Sequence, residues 1–143
     1  TINNIKNKIG VVTPHRGEFK KLTDASLSEN VDNNAKIVEK WARKTKMAVL
    51  LKGNIDIISN GKKTKLNKTG NPGMTVGGTG EVLAGIVAGL LAKKLDSFTS
   101  AALAAFINGY AGDLAFKEKF YSLLATDVIE KIPDVLREFL ERS

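Results

Sequence analysis

Between Asn71 and Ala92 a glycine-rich turn passes directly into a helix with no polar face. The stretch begins Asn71-Pro72-Gly73-Met74-Thr75-Val76-Gly77-Gly78-Thr79-Gly80-Glu81-Val82-Leu83-Ala84-Gly85. From Val82 to Ala92 the run is apolar and broken only by glycine, which predicts a buried helix. It is too short for a bilayer, which needs about 20 residues. The first N–H groups of a helix lack internal partners and sit at the positive end of its dipole, so this junction can hold a phosphate. Glycines let a backbone approach the ligand closely. The only charge at the junction is Glu81, a carboxylate that would repel a bound anion. It makes chemical sense as a base that removes a proton from a hydroxyl about to be phosphorylated. A plain loop with a favourable acid in the first helical turn is the other reading.

The 143 residues suit one domain or a large piece of one. With 43% hydrophobic and 26% charged residues the composition is that of an ordinary soluble protein. The absence of cysteine excludes disulfides, thiolate metal sites and cysteine nucleophiles, and fits a cytoplasmic location. The single histidine, His15, excludes a His-rich metal site, and no metal-ligand spacing appears, so no protein-borne metal is expected. The chain starts at Thr1 without a methionine or a signal-like segment, which suggests a fragment or a processed chain. Residues 1–68 carry 15 Lys and Arg against 6 Asp and Glu, whereas residues 69–143 carry 7 against 9. The lysines are scattered, without aromatics between them, which fits a solvated surface better than a nucleic-acid face. The same field would favour a phosphorylated small ligand.

Element signals run in the order strand, helix, strand, hairpin and three helices. Ile9 to Pro14 reads as a strand stopped by proline, with a short helix at Glu18 to Leu22. Asn30 to Lys46 reads as an amphipathic helix with Val31, Ala35, Val38, Trp41 and Ala42 on one side, capped by Asp32 or a preceding Asn. Met47 to Lys52 is a continuous apolar run, as for a strand buried on both faces. Two short strands flank Asn60-Gly61, a two-residue hairpin signal. Helices follow at about Thr79–Lys93, Ser97–Lys117 and Ser122–Leu140, with Pro133 expected to kink or divide the last. The result is an α/β layout with few strands for its helices, so the sheet looks incomplete.

Standard nucleotide signatures are absent. No glycine cluster is followed by the lysine of a P-loop, and Gly78-Thr79-Gly80-Glu81-Val82-Leu83 has leucine where the dinucleotide fingerprint needs its third glycine. Lys52-Gly53 ends a buried strand, where open α/β folds place ligands. His15 ends another strand, and a lone histidine is also a common hydrogen-bonded structural residue. Asp113, within Asn108-Gly109-Tyr110-Ala111-Gly112-Asp113, either faces a site or bonds a neighbouring turn. Ala84, Gly85, Ala88 and Gly89 at helical spacing predict close packing of a helix or sheet against that face.

Four segments together resemble one family: Thr13-Pro14-His15-Arg16-Gly17-Glu18, Leu50-Leu51-Lys52-Gly53, the Asn71 to Ile86 stretch, and Asn108 to Ala115. Leu124 to Pro133 also fits its last helix. The chain resembles the C-terminal part of the ADP/ATP-dependent NAD(P)H-hydrate dehydratases, within the ribokinase-like superfamily, over almost its whole length. The resemblance implies a three-layer α/β/α sandwich whose N-terminal half is missing, on another polypeptide or lost from this one. It implies phosphorylation of the hydroxyl of hydrated NADH or NADPH (NAD(P)HX) by ADP or ATP, accompanied by Mg²⁺, then loss of phosphate to regenerate the cofactor. Glu81 would be the base, and the N–H groups of Gly78, Thr79 and Gly80 would stabilise the transferring phosphoryl. His15 and Glu81 would contact the hydrated dinucleotide. Lys52, Gly53, Asn54, Ile55 and Asp56, with Gly80, would line the adenine-nucleotide site. The resemblance also implies a homo-oligomer, with neither nucleic acid nor membrane as partner.

Two departures stand out. The family usually has aspartate where this chain has Glu81, a methylene that moves the carboxylate enough to cost about 10²-fold in rate if uncompensated. It usually has proline where Arg16 stands, and the added cation is suited to a phosphate. A ribokinase-like kinase for a vitamin-type alcohol and a non-catalytic nucleotide-binding module are the rival readings.

Overall fold

The computed structural model describes residues 10–141. Four strands form one sheet in the order β1 (Val11–Val12), β2 (Ala48–Leu51), β3 (Asp56–Ser59), β4 (Thr64–Asn67). β1 and β2 are parallel, with Val11 opposite Ala48 and Val12 opposite Val49. β2, β3 and β4 form an antiparallel meander. Of the first predicted strand, Ile9 lies outside the described residues.

Side-chain alternation divides the core between the two faces of the sheet. Val49, Leu51 and Ile57 face α2 (Val31–Thr45) and α1 (Arg16–Thr23), packing with Phe19, Val38 and Ala42. Leu50 and Ile58 face α3 (Thr79–Ala92) and α4 (Ser97–Lys119), packing with Leu83, Val87, Phe98 and Ala101. All four β2 residues are buried, as the apolar run predicted. Burial of a side chain such as Leu50 contributes about 1.5–3 kcal/mol. α5 (Ala125–Leu140) lies outside the sheet, against α4 and α3, through Val128 and Val135.

Several local expectations shift. The short first helix begins two residues earlier than predicted, because His15 caps it. α2 is capped by Asn30, whose side chain accepts from the Asn33 N–H at 2.9 Å. The hairpin centres on Gly61-Lys62: the Asn60 N–H bonds the Lys63 carbonyl at 3.2 Å. Gly61 has φ +82°, and a Cβ there would meet the Arg43 Cα at 2.5 Å. Pro133 neither divides nor ends α5. It is exposed, as is Ile129 one turn before it, so the hydrogen bond that proline cannot make lies on the solvent side of the helix.

α3 departs most from expectation. Val82, Leu83 and Val87 are buried, but Ala84, Gly85, Ala88 and Gly89 are exposed. A Cβ added at Gly85 or Gly89 would meet nothing within 4 Å. The small-residue face therefore packs against no described element.

Candidate active site

The start of α3 is a backbone feature first. Gly78 is its N-cap with φ +98°, and a Cβ there would stand 2.8 Å from that of Ala125. The Val82 N–H closes the first turn on the Gly78 carbonyl at 3.0 Å, and no side chain caps the helix. Its leading N–H groups are thus left for an acceptor from outside the helix. The turn before it is held by its own polar groups. The Thr79 hydroxyl lies 3.0 Å from the Met74 carbonyl and 3.1 Å from that of Val76. Asn71 Oδ1 accepts from the Gly73 N–H at 3.0 Å.

Two strand ends meet this helix start. His15 and Lys52 follow parallel β1 and β2 and pair as neighbours, with the Lys52 N–H donating to the Pro14 carbonyl at 2.9 Å. A Cβ built on Gly80 would lie 3.3 Å from Lys52 Nζ, so a glycine at position 80 leaves room for the ammonium beside the helix. His15 is at once a structural cap: its Nδ1 accepts from the N–H groups of Gly17 and Glu18 at 3.0 and 3.2 Å. Glu18 Oε2 accepts from the His15 N–H at 2.8 Å. That hydrogen bond holds the Glu18 carboxyl below its ordinary pKa, helped by the ammonium charges of Lys52 and Lys21.

Two clefts open on either side of this junction. One, of about 400 Å³, is lined by Lys52, Gly53, Asn54, Asp56, Thr79 and Gly80, with the Thr69–Pro72 loop and Asn108 opposite. The other, of about 800 Å³, is lined by Glu18, Lys21, Gly77, Gly78, Glu81 and Ala84. His15, Lys52 and Gly80 line both. The residues expected for the nucleotide thus gather on the smaller cleft and Glu81 on the larger, with His15 between them. Ile55 lines neither; its carbonyl belongs to the turn that Gly53 opens, 3.3 Å from a Cβ built there. Arg16 also lines neither, because its guanidinium donates to the Ser28 carbonyl at 2.8 Å and lies 3.7 Å from Glu29.

The smaller cleft is tied together by polar side chains. Asp56 Oδ1 accepts from the Gly53 N–H at 3.1 Å and Oδ2 from Asn67 Nδ2 at 3.0 Å. Burial pushes the Asp56 carboxyl above its usual pKa, against the lowering effect of these two bonds and of Lys52. Asn67 Nδ2 also reaches the Ala105 carbonyl at 3.2 Å, joining the sheet to α4. Asp113 resolves as the bonding alternative: it accepts from the Gly70 N–H at 3.0 Å and from Asn71 Nδ2 at 2.8 Å. Gly109 and Gly112 let the loop rest on α4, since added Cβ atoms would stand 2.2 Å from Thr69 Oγ1 and 2.1 Å from Met74 Sδ. Thr69, Asn71 and Asn108 are wall residues that the sequence reading does not assign to the site. Asn71 opens the glycine-rich stretch and Asn108 is a polar residue inside an apolar helix, so of the three only Thr69 carries no sequence signal.

Among the described residues no group of three or more His, Cys, Asp or Glu is placed to hold a metal ion. None of the described helices is long and apolar enough to cross a membrane.

A sequence model described as NAD(P)H-hydrate dehydratase matches residues 3–134. The ADP-dependent (S)-NAD(P)H-hydrate dehydratase of Cenarchaeum symbiosum is 44% identical over 138 residues, covering 96% of this chain and 48% of that protein. The solved ADP/ATP-dependent NAD(P)H-hydrate dehydratase of Bacillus subtilis, co-crystallized with ATP/Mg²⁺, superposes with a TM-score of 0.82 at 28% identity, over 94% of this chain and 52% of that one. A ribokinase-like superfamily protein of Enterococcus faecalis superposes with a TM-score of 0.76 at 29% identity, over 90% of this chain and 44% of that one. The fold is therefore ribokinase-like, and the chain spans about a quarter to a half of the length of the curated relatives it matches. Matching that family over nearly its whole length, the chain is a member of the NAD(P)H-hydrate dehydratases.

Proposed function

We propose that this chain supplies the nucleotide wall and the catalytic base of an ADP- or ATP-dependent dehydratase acting on hydrated NAD(P)H, a metabolite-repair enzyme. The observation that carries the reading is the meeting of two clefts at Gly80, with Lys52 beside it and Glu81 one residue on. The nucleotide occupies the smaller cleft against Lys52, Gly53, Asn54, Asp56 and Gly80, with Ile55 behind them in the turn that Gly53 opens. Its terminal phosphoryl points at the uncapped N–H groups of Gly78, Thr79 and Gly80, which stabilise the charge that builds during transfer. The hydrated dinucleotide occupies the larger cleft against His15 and Glu81.

Glu81 takes the proton of the substrate hydroxyl as its oxygen attacks the terminal phosphorus, and the P–O bond to AMP (from ADP) or ADP (from ATP) breaks. Phosphorylation makes the oxygen a good leaving group. Departure of inorganic phosphate, with loss of a proton from the adjoining carbon, restores the double bond of the reduced nicotinamide. Mg²⁺ would arrive with the nucleotide rather than on a site of this chain, since among the described residues no group of three or more acidic or His side chains is placed to hold it. Bound with the phosphates, it would offset their charge.

The proposal includes a cytoplasmic enzyme, as a homo-oligomer, in which the rest of the family's domain completes the larger cleft. The relatives' greater length and the bare face of α3 support that part. The test adds ADP or ATP with Mg²⁺ and hydrated NADH to the chain, alone and with the remaining half of a relative's domain, and follows reduced-nicotinamide absorbance. Growth with nucleotide is the expected result. A stable phosphorylated alcohol would indicate a kinase, and silence in every combination would overturn the reading.

A further inference from the structure

Asn108 interrupts the apolar buried side of α4 and is only 8% exposed. Its Oδ1 is enclosed and has no hydrogen-bond partner; among the described residues only Ser97 Oγ shares that state. Buried acceptors in folded proteins are nearly always paired, so this one asks for a donor the described chain does not supply. Asn108 lines the smaller cleft, which is the space from which that donor can come. Its terminal amide turns about a broad two-fold torsion, so it can present its oxygen to the cleft without moving the helix.

The chemistry of the cleft narrows the donor. Lys52 and the α3 N-terminus favour phosphates, which only accept hydrogen bonds. Leu83 and Ala105, also on the wall of this cleft, are buried and apolar and suit the flat face of a base. An adenine nucleotide carries donors at the exocyclic amine and the ribose hydroxyls. We propose that Asn108 accepts a hydrogen bond from the exocyclic amine of adenine and thereby sets the nucleobase preference of the site. The inference rests on the nucleotide reading of this cleft given above.

The test is calorimetric titration of the full chain with ADP, with purine riboside 5′-diphosphate (which lacks only the amine), with 2′-deoxy-ADP and with pyrophosphate. Asn108→Leu and Asn108→Ala are titrated in parallel, both checked for folding by circular dichroism; the alanine variant keeps the best helix former if leucine disrupts packing. The expected result is that the wild type binds ADP roughly 10-fold more tightly than the amine-free analogue, the scale of one buried hydrogen bond. The variants bind both alike, with pyrophosphate affinity unchanged. Unchanged discrimination in the variants overturns the assignment while leaving the nucleotide reading intact. A wild-type preference that falls on 2′-deoxy-ADP and not on the amine-free analogue overturns it in favour of the ribose. Failure of the wild type to bind either ADP or pyrophosphate overturns both.

Discussion

The two clefts that share Gly80 are held in different ways. The smaller is a scaffolded wall: Asp56, Asn67, Asn71 and Asp113 each bond another segment that lines it or backs it. The larger is about twice the volume, and Glu18, Lys21, Leu22, Gly77, Glu81 and Ala84 on its rim are all exposed. The proposed nucleotide is therefore met by preformed geometry, whereas the proposed base stands on a face that continues into the bare stripe of α3. Positioning is what a phosphoryl-transfer site most needs, and under the proposed function it is concentrated on the nucleotide side.

The contrast breaks most easily at Glu81. Glu81→Gln should lower turnover by about 10²–10⁴-fold, the range for a general base, with ADP affinity unchanged. Reduced-nicotinamide absorbance and calorimetry measure the two quantities, and loss of ADP affinity instead would move Glu81 to the other cleft. Lys52→Met should weaken ADP binding by roughly 10–100-fold, the loss of a charge-assisted contact, read by titration. Full affinity would remove Lys52 from the phosphate site.

Smaller effects test the scaffolding itself. Gly109→Ala should cost about 1–3 kcal/mol in urea unfolding, because the new methyl collides with Thr69 backbone as well as its side chain. Asp56 should give a pH signature. Its raised pKa means that, above the ordinary 3.8, the folded state still holds a proton the unfolded chain has released. Wild-type stability then falls as pH rises through that window, and Asp56→Asn should flatten the slope in unfolding series from about pH 3.5 to 6. Last, Gly85→Ala should raise the chain's stability by about 0.5–1 kcal/mol, since alanine is the better helix former and nothing meets its Cβ. A loss in thermal unfolding would mean that this face is covered.

Much of the site was legible because it is made of backbone needs. Gly78 at positive φ and a helix start without a cap follow from the Gly77-Gly78-Thr79-Gly80 run, and β2 from five consecutive apolar residues. His15 and Lys52 could be placed at strand ends because proline and glycine follow or precede them. The wall opposite was not legible. Thr69, Asn71 and Asn108 reach the cleft from a loop and from α4, about forty residues apart, and no periodicity links such positions. The stripe of Ala84, Gly85, Ala88 and Gly89 promised a packed face, but composition cannot say which partner covers it.

The order of elements, the buried strand, the glycine-rich turn and the carboxylate beside it were determined by local sequence, through turn chemistry, periodicity and the unpaired N–H groups of a helix start. Tertiary structure alone decided that two clefts meet at Gly80, that His15 is also a cap, that Asp56 and Asp113 bond the scaffold, and that Asn108 Oδ1 has no partner among the described residues. Those outcomes depend on contacts between segments far apart in the chain, and hydrogen-bond pairing is settled only when every competing donor and acceptor has its place.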